Sequence, residues 1–94
     1  MRILSQIRFF MSYFIYILYS VASDKYYVGH TGDILEERIR KHNSKHKGFS
    51  GRSNDWKLVY KERSPDKTAA IKREMEIKSW KSRKRIELLI SSTE

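Results

Sequence analysis

Residues 13–31, YFIYILYSVASDKYYVGHT, decide the fold of this 94-residue chain. Tyr13–Tyr19 carries large apolar or aromatic side chains on both alternating faces, which is typical of a strand covered on both sides. Turn-forming residues follow at 22–24, and Lys25–Thr31 has the composition of a second, returning strand. The stretch therefore predicts a β-hairpin whose first strand is central in a sheet.

Four further elements are predicted outside this hairpin. Trp56–Glu62 alternates apolar and polar side chains, which predicts a third strand with one wetter face. Asp33 precedes Glu36 by three residues, the spacing of a capping box. Ser64 precedes Pro65, a cap residue before a first-turn proline. The predicted helices run from Asp33 to about Asn43, from Ser64 to about Trp80, and from Ser82 onward. The expected fold class is α+β, a three-stranded antiparallel sheet with flanking helices.

Two charged residues are predicted on the inward side of the first helix. At about 100° per residue, Arg38 and His42 fall within the arc occupied by the apolar side chains of that helix. Those side chains are Ile34, Leu35 and Ile39. A cation and an imidazole on an inward face are candidates for a functional site.

Glu74 is a carboxylate on the apolar side of the second helix. Its neighbours at helical spacing are Ala70, Ile71 and Ile77, whereas Glu76 lies on the opposite side. A carboxylate that faces a core without a partner is strongly destabilising. Two partners remain open at this point: Arg38 in a buried ion pair, or a metal ion beside an arginine that binds a phosphate.

The composition favours a nucleic-acid partner. The chain holds 20 Lys and Arg against 11 Asp and Glu, a formal net charge of +9. A small folded body with such an excess attracts polyanions, of which nucleic acid is the commonest. The aromatic content of 13% argues against a disordered basic tail. We therefore expect a folded domain that binds nucleic acid.

The absence of cysteine excludes a disulfide scaffold, a zinc ribbon and a thiol nucleophile. A chain that needs no disulfides is expected in the cytoplasm. Its length suits one hydrophobic core. We predict one domain at residues 11–90, preceded by an N-terminal extension at 1–10 that need not belong to the fold. Residues 91–94 are predicted to be a tail.

The apolar segment Phe9–Ala22 offers a competing interpretation as a signal-peptide core or a membrane-associated segment. It is too short to span a bilayer, and its tyrosines and serines are poor material for a hydrophobic signal. Tyr, Phe and Ile suit a packed strand. We therefore expect no stable membrane association.

Four groups of residues resemble, in this order, the motifs of the GIY-YIG nuclease family. They are Ile15-Tyr16-Ile17, Tyr27-Val28-Gly29, Arg38 with His42, and Glu74 within REMEIK. The resemblance covers residues 12–90, and small stand-alone members and the catalytic domain of the excision-repair incision subunit share this order. Two positions differ: IYI replaces GIY, and His30 lies where repair-type members tend to carry lysine.

The resemblance implies a metal-dependent endonuclease that hydrolyses phosphodiester bonds in DNA, in repair or processing, and leaves 5′-phosphate and 3′-hydroxyl ends. Glu74 would hold one divalent ion, Mg²⁺ or Mn²⁺, because carboxylates suit hard cations. Arg38 would bind the non-bridging phosphate oxygens. Tyr27 would position or deprotonate the attacking water, with Tyr16 beside it. His42 would orient that tyrosine or share the role of base.

Other residues are expected to support this site. Gly29 belongs to the motif, since glycine inside a strand marks a close approach of other atoms. His30 and Lys78 are further candidates. The expected nucleic-acid-binding residues are Lys45, Lys47, Arg52, Lys81, Arg83, Lys84 and Arg85. Trp80 lies in this basic run, where it would stack on a base or pack inward.

The expected partner is DNA, and two arrangements remain open. In the first, the chain is an endonuclease that cleaves DNA. In the second, it is a non-catalytic nucleic-acid-binding module that retains the nuclease fold and is recruited to DNA by a targeting protein partner. A degenerate binder would tolerate loss of the motif residues, so their presence favours the enzyme.

Overall fold

The computed structural model describes residues 12–44 and 53–92 of the chain. Three strands form one antiparallel sheet in which β1 lies between β2 and β3. In chain order the elements are β1 (Tyr13–Ser20), β2 (Lys25–Thr31), α1 (Leu35–His42), β3 (Lys57–Ser64), α2 (Lys67–Ser79) and α3 (Arg83–Ser91). The predicted fold class is confirmed.

β1 is the central strand, and both of its faces are covered. Ile15 and Ile17 belong to a core cluster with Ala70 and Ile77 of α2, against which α3 also packs. The opposite face carries Tyr16 and Leu18, which form a second cluster with Trp56 and the apolar side of α1. Burying one such aliphatic side chain stabilises the fold by about 1.5–3 kcal/mol. This two-sided burial explains why β1 lacks the alternation of a half-exposed strand.

The register between β1 and β2 brings the two tyrosine motifs together. Tyr16 pairs directly with Gly29, and Leu18 pairs with Tyr27. Because residues two apart share a face, Tyr16, Tyr27 and Gly29 project toward the same side of the sheet. His30 projects to the other side, where α2 packs.

Two helices begin later than the sequence predicts. Asp33 does not cap α1, because the backbone stays extended through Ile34 and the Asp33 N–H instead donates to Thr31 Oγ1 at 3.0 Å. Ile34, predicted to face inward, is 66% exposed since it precedes the first turn. Ser64 does not cap α2 either: it ends β3, and Asp66 accepts the capping hydrogen bond from the Ala69 N–H at 2.8 Å.

The last predicted helix start is confirmed. Ser82 caps α3, and its side chain accepts a hydrogen bond from the Arg85 N–H. Lys81 joins α2 to α3 with a φ of 49°, in the left-handed region that lysine rarely adopts. The short connection places the start of α3 beside the end of α2.

Within residues 12–44 and 53–92, no helix is both long enough and apolar enough to cross a membrane. The described part of the apolar segment, residues 12–22, forms β1 and the turn after it. The predicted extension at 1–10 lies outside the described residues. The division into extension, domain and tail stays a prediction.

Candidate active site

Tyr16 is the centre of a hydrogen-bonded group beneath α1. Its side chain is completely buried. The hydroxyl oxygen lies 2.9 Å from His42 Nε2 and accepts a hydrogen bond from Arg38 Nε at 3.3 Å. One turn of α1 thus brings the predicted Arg38 and His42 to the same tyrosine, because residues four apart share a helix face.

The direction of these hydrogen bonds follows from the donor inventory. Arginine can only donate, so the Tyr16 oxygen is the acceptor in its bond with Arg38. The direction of the Tyr16–His42 bond depends on the tautomer of His42: in the Nδ1–H tautomer, the Tyr16 hydroxyl donates to Nε2. Burial raises the pKa of Tyr16, although the Arg38 hydrogen bond and charge oppose that rise. The Tyr16 hydroxyl therefore stays protonated at neutral pH.

Tyr27 lies beside this group on the same face of the sheet. Its ring is stacked against that of Tyr16, with centroids 6.4 Å apart, and it contacts the His42 ring at 4.5 Å. Tyr27 is less deeply buried than Tyr16 and lies on the edge strand β2. Of the two motif tyrosines, Tyr27 is therefore the one placed where a substrate can approach.

Trp56 and Asn43 complete the group and were not predicted as site residues. The Trp56 ring packs edge-on against Tyr27, with centroids 6.2 Å apart. The Asn43 side chain accepts from the Trp56 N–H at 2.7 Å and donates to the Trp56 carbonyl at 3.0 Å. This pairing joins segments 13 residues apart, and no local sequence signal predicts it.

Gly29 provides the space that the Tyr16 hydroxyl occupies. A Cβ atom on Gly29 would lie 2.7 Å from the hydroxyl oxygen and 2.8 Å from Cζ of Tyr16. Both distances are too short for non-bonded contact. The atoms that closely approach Gly29, as predicted, are therefore those of the Tyr16 side chain.

Substituting Gly29→Ala is expected to displace Tyr16 from Arg38 and His42. Overpacking of this kind costs about 1–3 kcal/mol of unfolding free energy, and a displacement near 1 Å costs about a hundredfold in rate. Gly32→Ala is a matched control, because its Cβ would crowd Tyr13, a residue outside the site, at 2.6 Å. Denaturant unfolding and cleavage rates should show both variants destabilised but only Gly29→Ala inactive. Equal rates in the two variants would contradict this function of Gly29.

Glu74 lies on α2, which packs against the face of the sheet opposite to Tyr16 and Tyr27. Its side chain is 15% exposed. One carboxylate oxygen contacts His30 Nδ1, and the other lies 2.5 Å from Lys78 Nζ. Of the two partners left open for Glu74, the ion pair with Arg38 is wrong, because Arg38 bonds to Tyr16 on the opposite face of the sheet. The site candidates His30 and Lys78 instead supply the partners of the carboxylate.

Burial and the neighbouring cations act in opposite directions on the pKa of Glu74. Burial acts to raise the pKa of this carboxyl, but the hydrogen bonds and charges of His30 and Lys78 outweigh it, so the pKa is lowered. The charge of Glu74 also contributes to raising the pKa of Tyr16. The two halves of the site are thus within electrostatic reach of each other around Gly29.

Glu74 is a single carboxylate rather than part of a ligand cluster. No group of three or more His, Asp or Glu side chains that could hold a metal occurs among residues 12–44 and 53–92. The donor set nevertheless fits a hard divalent ion that keeps several waters. The carboxylate already neutralises cationic partners, and Lys78, which is half-exposed, has a flexible stem that can move away.

The predicted nucleic-acid-binding residues differ in their surroundings. Arg83 bonds to Asp24 at 2.6 Å and to Glu87 at 3.1 Å, so its charge is largely compensated. Arg85 lies over the Trp80 ring at 4.5 Å, and Trp80 packs against the core rather than standing open. Lys81 and Lys84 are exposed. Lys45, Lys47 and Arg52 lie outside the described residues.

Most of the chain matches the model of one protein family. The model of the GIY-YIG catalytic domain matches residues 12–87. The chain belongs to the GIY-YIG family. Domains of this family are generally endonucleases that act on nucleic acids and typically use divalent metal ions. The predicted family resemblance is confirmed.

One solved structure is similar to this GIY-YIG domain. It is the solution NMR structure of the UPF0213 protein BH0048 from Bacillus halodurans, with 28% sequence identity and a TM-score of 0.52. The match covers 86% of this chain and 84% of that one. No curated protein matches the chain. The shared architecture therefore extends over nearly the whole of both chains.

Proposed function

We propose that this GIY-YIG domain is a metal-dependent endonuclease that hydrolyses phosphodiester bonds in DNA. The observation that carries the proposal is the double hydrogen bond of buried Tyr16 to Arg38 and His42, with Tyr27 stacked beside it. This arrangement fixes a cation, a phenol and an imidazole together on one face of the sheet. A core tyrosine that only packs would need one partner for its hydroxyl and no neighbouring charge.

Arg38 would bind the non-bridging oxygens of the scissile phosphate. The hydrogen bond to Tyr16 uses its Nε and raises the pKa of the guanidinium, so the group stays charged. The remaining donors of its planar fork suit two phosphate oxygens. Stabilising the charge that develops on these oxygens is commonly the largest contribution to such a reaction.

Tyr27 would position or deprotonate the attacking water. As the water oxygen bonds to phosphorus, its proton passes to Tyr27 in the phenolate form, or to bulk water where Tyr27 only positions the attacking water. The bond between phosphorus and the 3′ oxygen breaks, and that oxygen takes a proton from solvent. The products are a 5′-phosphate and a 3′-hydroxyl. His42 is 6% exposed and its Nε2 is held by Tyr16. This geometry supports His42 as an orienting group more than as the base.

Glu74 would hold Mg²⁺ or Mn²⁺, and His30 and Lys78 would position its carboxylate. The bound ion supplies Lewis-acid stabilisation of phosphate charge and of the leaving oxygen. Lys78 would exchange its contact with Glu74 for one with the substrate. The half-exposed position of Lys78 beside the carboxylate supports this role.

A panel of labelled DNAs tests the proposal. Purified protein is incubated with duplex, flapped, branched and single-stranded DNA, with Mg²⁺ or Mn²⁺ or with a chelator. We expect metal-dependent cleavage of at least one member. Specific binding without cleavage of any member would favour the non-catalytic module instead.

The basic start of α3 is expected to supply phosphate contacts. Changing Lys84 and Arg85 to glutamine should weaken duplex binding evenly across sequences and flatten the plot of log affinity against log salt by about 0.9 per lost contact. Lys67→Gln with Lys72→Gln removes the same charge from another part of the surface and should leave the slope unchanged. Equal slopes in the two variants would reject this surface as the binding face. Rates at saturating DNA should survive in both.

A further inference from the structure

A cleft opens beside the proposed site, between the edge strand β2 and the junction of α2 with α3. Its volume is about 370 Å³, within the range of roughly 300–1,000 Å³ that small-molecule pockets occupy. Its accessible apolar lining comes from the partly exposed Tyr26 and Ile86, with the buried Val28 and Ile77 beneath them. The exposed Lys78 and Lys81 contribute cations. The cleft therefore suits a flat apolar body that carries a negative group.

The cleft and the proposed site share two residues. Tyr27 lines the cleft, and its ring also packs against Tyr16 and His42. Lys78 lines the cleft and lies 2.5 Å from Glu74. A ligand in the cleft is therefore adjacent to the residues that would act on the scissile phosphate.

One cation of the cleft, Lys81, is available to an anion. Lys81 makes no hydrogen bond or ion pair with the residues that the structure describes, and its φ of 49° sets its backbone direction at the α2–α3 junction. Lysine ammonium groups bind phosphate as point charges. An aliphatic lining next to a phosphate-binding cation matches the chemistry of one nucleotide.

We propose that this cleft binds the unpaired base of a nucleotide next to the cleaved phosphodiester bond, while Lys81 contacts the phosphate of that nucleotide. A base can enter only after it leaves the duplex stack, and that costs least where the base is already unpaired. The preferred substrate class is therefore DNA with a single-stranded segment, such as a flap, joined to a duplex. The substrate preference rests on the proposed nuclease function, but base binding in the cleft can be measured without cleavage.

The test measures binding by fluorescence anisotropy in chelator, with three labelled DNAs. They are a duplex, the same duplex with a single-stranded flap, and that flap with an abasic first unpaired nucleotide. We expect the wild type to bind the intact flap about tenfold more tightly than either of the others, the range of one base contact. Equal affinity for the intact and abasic flaps would overturn the subsite.

Two variants locate the effect in the cleft. Ile86→Trp fills it and should bind all three DNAs with the affinity of the duplex. Leu88→Trp is the matched control, since Leu88 is 60% exposed on the same helix and does not line the cleft. Leu88→Trp should keep the tenfold preference. If both variants lose the preference for the intact flap, or if neither does, the base does not bind in this cleft.

Lys81→Gly keeps the test decisive if Ile86→Trp fails to fold. Glycine accepts the left-handed backbone at this position, so the variant removes the ammonium without straining the chain. It should lower affinity for the intact flap about tenfold, and an unchanged affinity would reject the role of Lys81. If the base preference is intact but no DNA is cleaved with Mg²⁺ or Mn²⁺, the subsite is supported and the nuclease proposal fails.

Discussion

Replacing Glu74 with glutamine is expected to lower metal-dependent cleavage by about three orders of magnitude or more. The substitution keeps the shape of the side chain but removes the charge that would hold the ion. DNA affinity should change little, since Glu74 contributes no positive charge to phosphate binding. Single-turnover cleavage and anisotropy binding measure the two effects separately.

Glu76→Gln is the matched control for this variant. Glu76 lies two residues away on α2, is exposed, and pairs with Arg73 at 3.0 Å outside the site. It should retain the wild-type rate. An active Glu74→Gln with an inactive Glu76→Gln would show that the wrong side of the helix was assigned to the metal.

The same variant should also be less stable at neutral pH. The pKa of Glu74 is lowered in the folded protein, so its carboxylate stabilises the fold above the unfolded pKa, near 4.5. That contribution is lost as the pH falls through the folded value. Glu74→Gln should therefore show a lower unfolding free energy at pH 7, and the difference from wild type should shrink in acid.

Replacing Tyr27 with phenylalanine is expected to lower the cleavage rate by about two to four orders of magnitude, the usual loss of a general base. Folding and binding should change little, because the ring still packs against His42 and Trp56. Tyr19→Phe is the matched control: its hydroxyl donates to Asp24 at 2.5 Å, away from the site. A nearly active Tyr27→Phe would reject the tyrosine mechanism.

The pH dependence separates Tyr27 from His42 as the base. A tyrosine must lose its own proton before it can act as a base, so a tyrosine base makes the rate keep climbing with pH above neutrality. A histidine base makes the rate fall below about pH 6.5 and level off above it. The profile is repeated with Mg²⁺ and Mn²⁺, since metal-bound water also gives an alkaline climb. A plateau that disappears in His42→Ala would transfer the role of base to His42.

The fold could be predicted from the sequence because its signals are local. The apolar run at Tyr13–Tyr19 predicts a central strand, and both faces of β1 are indeed buried. The cap at Ser82 was predicted correctly, whereas Asp33 and Ser64 were not caps. The extended backbone continues through Ile34 after β2, and β3 continues to Ser64. The sheet therefore sets where these two helices begin, and the spacing of cap residues in the sequence does not show this.

The candidate site could be predicted only in part. Periodicity placed Arg38 and His42 on one helix face, and the structure brings both to Tyr16. The partner of Glu74 could not be found in this way, because β2 separates it from Arg38. Glu74 and Arg38 are separated because Glu74 contacts His30 on one face of β2, whereas Arg38 lies with Tyr16 on the other face. The Asn43–Trp56 pairing depends on loop closure, which carries no periodic signal.

Metal-dependent hydrolysis at Glu74 can be tested by incubating wild-type protein and Glu74→Gln with labelled flapped DNA and Mg²⁺ or Mn²⁺, and by determining the ends of the products. We expect the wild type to give 5′-phosphate and 3′-hydroxyl ends only when the divalent ion is present. Glu74→Gln should bind the DNA but leave it intact. Equal cleavage by both proteins, or cleavage that persists in chelator, would show that Glu74 does not hold a catalytic metal ion.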